Sequence, residues 1–208
     1  MLLLDRRGST QFPNVLKWFV RAMHRFFVVT GIPASGKSVV GGAVAERLGL
    51  PLYDKDVILE ALFEGLGVGD ASWRRRLSRA ADEVLRRLAL GSPGAVLVSW
   101  WRHPHSSIES GTSTDWLASL PGAVTELHCR CSPEVALERF VGRQRHVGHL
   151  DSSQAPADLR ASFEQAARHG PLGIRRLVVV DTESPWELSA VLDELRPWES
   201  PTGEMPRV

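Results

Sequence analysis

The chain has 208 residues, 43% hydrophobic and 24% charged, and its 25 basic and 24 acidic side chains leave a formal net charge of +1. That length suits one compact α/β domain with a full core. The near-cancelled charge excludes a dedicated nucleic-acid or membrane-surface binder, and no apolar run approaches the ~18 residues needed to span a bilayer.

Met1–Arg25 reads differently from the rest. Leu2–Leu4 is too short for a signal-peptide core, Asp5–Arg7 interrupts it, and no small-residue cleavage site follows. Val15–Met23 has the pattern of a brief amphipathic helix around Trp18 and Phe19. Residues 1–25 are therefore expected to be an extension, dispensable or a docking arm, with a domain over 26–196 and a loose Pro-rich tail over 197–208. From Arg25 onward strands and helices alternate, which predicts a parallel sheet with helical crossovers. Phe26–Thr30 reads as a buried first strand and Gly36–Leu48 as a helix stopped near Gly49 and Pro51. Pro51–Asp54 is a short second strand, followed by helical Val57–Leu66. Ser72–Leu90 is a longer helix with Leu77, Ala81 and Leu85 on one side and Arg74, Arg75, Arg79, Arg86 and Arg87 on the other.

Ala95–Trp101 is the third predicted strand and Val124–Cys131 the fourth. Pro133–Arg143 follows as a helix capped by Ser132. Arg145–Pro156 is polar and aperiodic, so a mobile connection is expected there, a lid over about 143–157. Ala157–His169 is helical, Arg176–Asp181 is the fifth strand, and Pro185–Leu195 is a final helix capped by Ser184. Cys129 and Cys131 lie two apart, on one face of a strand and poorly placed to bridge each other. Buried thiols in a reducing, cytoplasmic compartment are the expectation.

Gly31-Ile32-Pro33-Ala34-Ser35-Gly36-Lys37-Ser38 matches the phosphate-loop pattern, with an apolar strand before it and an amphipathic helix, entered through Val39, after it. The glycines let the backbone curl so that successive N–H groups point at phosphate oxygens. The helix adds its positive dipole end at the same point. Lys37 neutralises β- and γ-phosphate charge, and the Ser38 hydroxyl ligates Mg²⁺. Tyr53-Asp54-Lys55-Asp56 follows the second strand, at the end that faces the ligand crevice in open parallel sheets. Two carboxylates there can divide the labour, one supporting the metal's water shell and one accepting a hydroxyl proton. The competing reading is a charged turn in which Asp56 caps the following helix.

With these residues in place the chain resembles the small-molecule and nucleotide kinases of the adenylate-kinase-like superfamily, among them shikimate kinase, gluconate kinase, chloramphenicol phosphotransferase and the zeta toxins. The resemblance implies a phosphate-loop α/β fold with five parallel strands ordered 2-3-1-4-5, flanking helices and a mobile lid. It implies ATP and Mg²⁺, Asp56 as the base toward the acceptor hydroxyl, and Asp54 on the metal side. Glu138-Arg139-Phe140-Val141-Gly142-Arg143-Gln144-Arg145 is similar to the lid-entry segment of adenylate kinases. By that match Arg139 flanks the adenine, while Arg143, or Arg145 in its place, closes on the transferring phosphoryl group. Thr182, after the last strand, stands where these kinases border adenine.

Departures from the family pattern narrow the acceptor. No arginine stands in Asp56-Val57-Ile58-Leu59-Glu60, where nucleoside monophosphate kinases hold an acceptor phosphate, and none appears before Arg74. A neutral or weakly charged hydroxyl compound is therefore expected. Trp101 and Arg102 at the end of the third strand, with Trp73 at the start of the long helix, are the candidate acceptor residues. One of the neighbours Trp100 and Trp101 should point into the core. His146, His149 and Asp151 read as polar lid surface. The resulting expectation is an ATP-dependent phosphotransferase acting on a small metabolite or natural product, with an antibiotic as one option, working as a monomer or homodimer without nucleic acid or membrane. A nucleoside or nucleotide kinase and a non-catalytic nucleotide switch are the rival readings.

Overall fold

A computed structural model describes residues 24–107, 110–150, 156–174 and 176–195. The extension up to residue 23, its Val15–Met23 helix and the tail from 196 lie outside these. Strand β1 (Arg25–Thr30) leads through the phosphate loop into helix α1 (Lys37–Leu48), and β2 (Leu52–Asp54) leads into α2 (Lys55–Leu66). Helix α3 (Ala71–Gly91) precedes β3 (Ala95–Val98), and β4 (Ala123–Arg130) precedes α4 (Pro133–Gly142). Helix α5 (Pro156–His169), β5 (Arg176–Asp181) and α6 (Leu188–Leu195) complete the order. The five strands form one parallel sheet in the order β2-β3-β1-β4-β5, as expected.

Both faces of the sheet are covered, so the central strands are apolar throughout rather than alternating. Phe27 and Val29 of β1 pack with Val40 and Val44 of α1 and Val191 and Leu195 of α6. Their neighbours Phe26 and Val28 face the other way, onto Leu85 and Ala89 of α3. This two-residue periodicity turns one short strand into the centre of two core layers. A third cluster joins α4 to α5 through Ala136, Leu159 and Phe163, and a fourth joins α2 to α3 through Leu59, Phe63, Leu77 and Ala81. These peripheral pairs stand on either side of the crevice at the carboxyl ends of the strands.

One buried carboxylate fixes the approach to β5. Glu126 of β4, fully buried, accepts from the Thr30 hydroxyl at 2.7 Å and from the N–H groups of Leu172, Gly173 and Ile174 at 2.7, 3.1 and 3.2 Å. Four donors on one carboxylate offset its loss of hydration.

The structure corrects several boundaries. Helix α2 starts at Lys55, and Asp54 is its cap, accepting from the Asp56 N–H at 2.9 Å; Asp56 itself caps nothing. Strand β3 ends at Val98, because Trp101 turns aside to bridge Thr112. Helix α6 begins at Leu188 rather than Pro185, so Ser184 is not its cap. The expected mobile connection contains a docked 3₁₀ turn at Val147–His149.

Candidate active site

The phosphate loop connects β1 to α1 with three unusual backbone conformations, at Gly31 (φ 132°), Ala34 (φ 58°) and Gly36 (φ 86°). A side chain at Gly31 would lie 2.5 Å from both the Cys129 carbonyl oxygen and Ser35 Oγ. Only glycine fits both the space and the angle there. Lys37 and Ser38 open α1, so their N–H groups have no preceding turn of carbonyls to bond. Ser35 Oγ is buried and has no described hydrogen-bond partner. Donors that converge in this way fit a chain of phosphates. Lys37 Nζ donates to the carbonyls of Gly31 at 3.0 Å and Ile32 at 2.7 Å. Burial pushes its pKa down to about 8.

The loop is braced from β5 and α4. Thr182 Oγ1 donates to the Ser35 carbonyl at 2.8 Å, and its methyl packs 3.6 Å from the Cβ position of Gly36. Arg139 donates to the Thr182 carbonyl at 2.7 Å. Cys129 lies beneath the loop, its thiol pushed up to about 12 by burial, so it stays neutral and unreactive.

Ser38 Oγ and Asp54 Oδ2 meet at 2.6 Å. Burial raises the Asp54 pKa, against the opposing pull of the Ser38 hydroxyl and the Asp56 N–H. A hydroxyl beside a carboxylate, both oxygen donors next to a phosphate cradle, fits Mg²⁺, which keeps most of its ligands as water and phosphate. Among the described residues no cluster of three or more His, Cys, Asp or Glu could hold a metal by itself.

Asp56 is half-exposed, and Arg145 donates to its Oδ2 at 2.6 Å. That contact belongs to a larger docking of the lid segment on α2. His146 stacks on Phe63 with ring centroids 5.3 Å apart, and the buried His149 meets Glu60 at 2.8 Å. A methyl on Gly148 would run into the Phe63 ring. His146 and His149 are therefore packing residues and not polar lid surface; Asp151 lies outside the described residues. Arg143 lies with its guanidinium 5.2 Å from the Phe140 ring centroid and close enough to Lys37 to lower that amine's pKa further.

All these groups open on one cleft of about 1070 Å³. Pro33, Ala34, Gly36, Lys37, Ser38 and Val39 line one end, with Arg139, Thr182 and Trp186 beside them. Asp54 and Asp56 stand in the middle, with Arg143 and Arg145 over them. The cleft is also lined by Arg74, Arg75, Ser78 and Arg79 of α3 and by Trp100 and Arg102 beyond β3.

Two candidates are displaced from the cleft. Trp101 is buried in the core and donates to the Val29 carbonyl at 2.9 Å; its neighbour Trp100 faces the cleft instead. Alternation sends the two rings to opposite sides, and the core has the partner for Trp101. Trp73 donates to the Gly67 carbonyl at 2.9 Å and stacks under Arg76, tying down the α2–α3 turn outside the cleft. Sequence reasoning passed over Lys55, whose ammonium pairs with Asp82 at 2.7 Å. From Asp82 a chain of short bonds runs through Thr112 (2.6 Å) to Ser99 (2.6 Å), holding α3 to the end of β3. A lysine buried between two carboxylates in sequence, Asp54 and Asp56, was the available signal.

No family model matches the chain. Over 80 residues, 35% of its length, it is 38% identical to a shikimate kinase from Ruegeria pomeroyi, and the match covers only 38% of that relative. A crystal structure of a kinase candidate from Chloroflexus aurantiacus superimposes with a TM-score of 0.68 at 27% identity, over 84% of this chain and 97% of that one. The chain is thus similar in part of its sequence to a shikimate kinase and in its whole fold to phosphate-loop small-molecule kinases. The kinase fold is shared at 17% identity with a shikimate kinase from Bacteroides thetaiotaomicron, with a TM-score of 0.52 over 84% of this chain and 97% of that one. A sugar kinase from Janibacter sp. has it too, at 17% identity and a TM-score of 0.53, over 84% and 94%.

Proposed function

We propose that this kinase-fold protein transfers the γ-phosphoryl group of ATP to a hydroxyl group of a small molecule. The supporting observation is that the phosphate loop, the Ser38–Asp54 pair and Asp56 all open on one cleft. The triphosphate lies in the Gly31–Ser38 loop, with Lys37 on its β- and γ-phosphates. Adenine takes the side bordered by Arg139, Thr182 and Trp186. Ser38 and Asp54 hold Mg²⁺, which supplies charge neutralisation on the phosphate oxygens when bound.

Asp56 orients the acceptor hydroxyl and takes its proton. The acceptor oxygen bonds to the γ-phosphorus, the bond from that phosphorus to the β,γ-bridging oxygen breaks, and ADP leaves with the electron pair. Arg145 holds one oxygen of Asp56 and leaves the other to the acceptor. Arg143 and Lys37 stabilise the charge that spreads over the transferring group, which is most of what the protein contributes to such a reaction. The lid docked on α2 excludes water, so that transfer to the acceptor prevails over hydrolysis.

Among the described residues no helix is long and apolar enough to cross a membrane. The test is a screen with γ-labelled ATP and Mg²⁺ against a panel of hydroxyl compounds, nucleosides included. The expected result is label on an acceptor, with hydrolysis slower by at least ~100-fold. Brisk hydrolysis with no labelled acceptor would remove the kinase reading and leave a nucleotide switch.

A further inference from the structure

One charged side chain stands where the packing of α2 calls for an apolar one. The buried positions of that helix are Lys55, Leu59 and Phe63, spaced four residues apart on a single stripe. Leu59 and Phe63 pack on Leu77 and Ala81 of α3, as the apolar face of an amphipathic helix should. Lys55 heads the stripe with 10% of its side chain exposed, and its ammonium pairs with Asp82 of α3 at 2.7 Å. Among the described residues it pairs with neither Asp54 nor Asp56, the carboxylates on either side of it in sequence.

Burying an ion pair costs hydration that its own attraction scarcely offsets, whereas leucine or methionine at position 55 would continue the stripe at no such cost. The pair therefore calls for a reason other than stability, and its connections supply one. Asp82 Oδ1 also accepts from the Thr112 hydroxyl at 2.6 Å, and Thr112, fully buried, lies 2.6 Å from Ser99 Oγ. The main chain of Thr112 holds the segment beyond β3. Its N–H donates to the Trp100 carbonyl and its carbonyl accepts from the Arg102 N–H, each at 2.8 Å. On the other side, Lys55 is the first residue of α2, directly after the Asp54 cap and directly before Asp56. One cation thus joins the turn that carries both cleft carboxylates to α3 and to the Trp100–Arg102 wall of the same cleft.

We infer that Lys55 is a positioning residue: its pair with Asp82 fixes the first turn of α2, setting Asp54 toward the divalent ion and Asp56 toward the acceptor. Its ammonium bonds neither carboxylate and acts through the backbone that it anchors. An apolar side chain at the same place would fill the space without fixing a direction, since dispersion contacts tolerate small slides that a charge-assisted hydrogen bond resists. Asp54 is the sensitive end. Its Oδ2 lies 2.6 Å from Ser38 Oγ, and a shift of the turn parts the two oxygens that Mg²⁺ needs together. The roles of Asp54 and Asp56 rest on the kinase reading; the clamp itself stands on the Lys55–Asp82–Thr112 contacts.

The test measures binding of β,γ-methylene-ATP to the full chain by calorimetry, once with Mg²⁺ and once with EDTA, in the parent and in Lys55→Met. The ratio of the two affinities isolates what the metal adds, which a general loss of stability would not move. In Lys55→Met this ratio should fall about tenfold while the metal-free affinity stays within about twofold of the parent. A fall in the ratio of less than about threefold overturns the inference, as does a metal-free affinity that drops as far as the affinity with Mg²⁺. Leu77→Ala loosens the same α2–α3 contact without touching the cation. It should lower the thermal midpoint and leave the ratio within about twofold; a fall as large as that of Lys55→Met would show that loose packing suffices. Should Lys55→Met not fold, Asp82→Asn, which keeps the shape and removes the charge, takes its place with the same thresholds. A parent that fails to bind the nucleotide, or binds it without regard to Mg²⁺, overturns the metal site of the kinase reading and this role of Lys55 with it. A parent that responds to Mg²⁺ while the variant responds equally overturns the role of Lys55 alone.

Discussion

The two ends of the cleft are built in opposite ways. The nucleotide end is made largely of backbone: eight consecutive residues, Gly31–Ser38, form the loop and start the helix. The acceptor end is made of side chains from three separated places, Asp56 on α2, the arginines of α3, and Trp100 and Arg102 beyond β3. A backbone cradle recognises what all nucleoside triphosphates share, whereas side chains gathered from distant segments can change one at a time. On the proposed reading the first holds the phosphoryl donor, and the second holds the acceptor and supplies its base.

Lys37→Met breaks the comparison at its strongest point. Removing the one cation inside the cradle is expected to lower transfer by about 10³-fold or more, measured with γ-labelled ATP. A fall of less than tenfold would mean that the loop's N–H groups suffice without it.

Glu126→Ala addresses the framework under both ends. The N–H groups of Leu172, Gly173 and Ile174 lose their shared acceptor, and a loss of roughly 3 kcal/mol in unfolding free energy is expected from urea titration. Unchanged stability would show that water replaces the carboxylate fully.

Gly148→Ala sharpens the difference between the ends. The added methyl collides with Phe63 and pushes the lid segment off α2, which also frees Asp56 from Arg145. Transfer should fall about tenfold relative to hydrolysis if, as proposed, the docked segment excludes water. An unchanged ratio of the two products would separate the docked lid from selectivity.

The smallest expected effect is a fraction of a proton. Lys37 has a pKa of about 8 against an ordinary 10.5, so folding the chain with a charged Lys37 carries a desolvation cost below pH 8. The unfolded chain binds the extra proton between pH 8 and 10.5, so this group makes stability rise with pH across that window. Phosphates beside the ammonium favour its charged form and reverse the shift. Nucleotide binding at pH 9 should therefore take up protons, seen as a dependence of calorimetric heat on buffer ionisation enthalpy. Equal heats in all buffers would show that Lys37 keeps its proton in both states.

How far the sequence anticipated these results follows the same division. The phosphate loop could be read because its residues are contiguous and its strand and helix flank it directly. The strand order followed from resemblance, and β5 was bounded exactly at Arg176–Asp181. The lid docking could not be read, since Gly148 acquires meaning only when Phe63, far away in sequence, lies against it. The same holds for the arginines of α3: a helix period says that Arg75 and Arg79 share a face, but not that the face lines the same cleft as Asp56. The Trp100–Trp101 pair shows the limit most sharply. Alternation required one ring inside and one outside, and only the buried acceptor at Val29 decided which.

The central claim is that one cleft unites a phosphate cradle with an acceptor-directed carboxylate. Asp56→Asn tests it most directly, because it keeps the side chain's shape and removes its ability to take a proton. Once the label screen has supplied an acceptor, transfer by this variant should fall at least ~100-fold. ATP affinity, measured by calorimetry on the same sample, should stay within about threefold of the parent, since the carboxylate at position 56 lies outside the cradle. Transfer at the parent's rate would contradict the account.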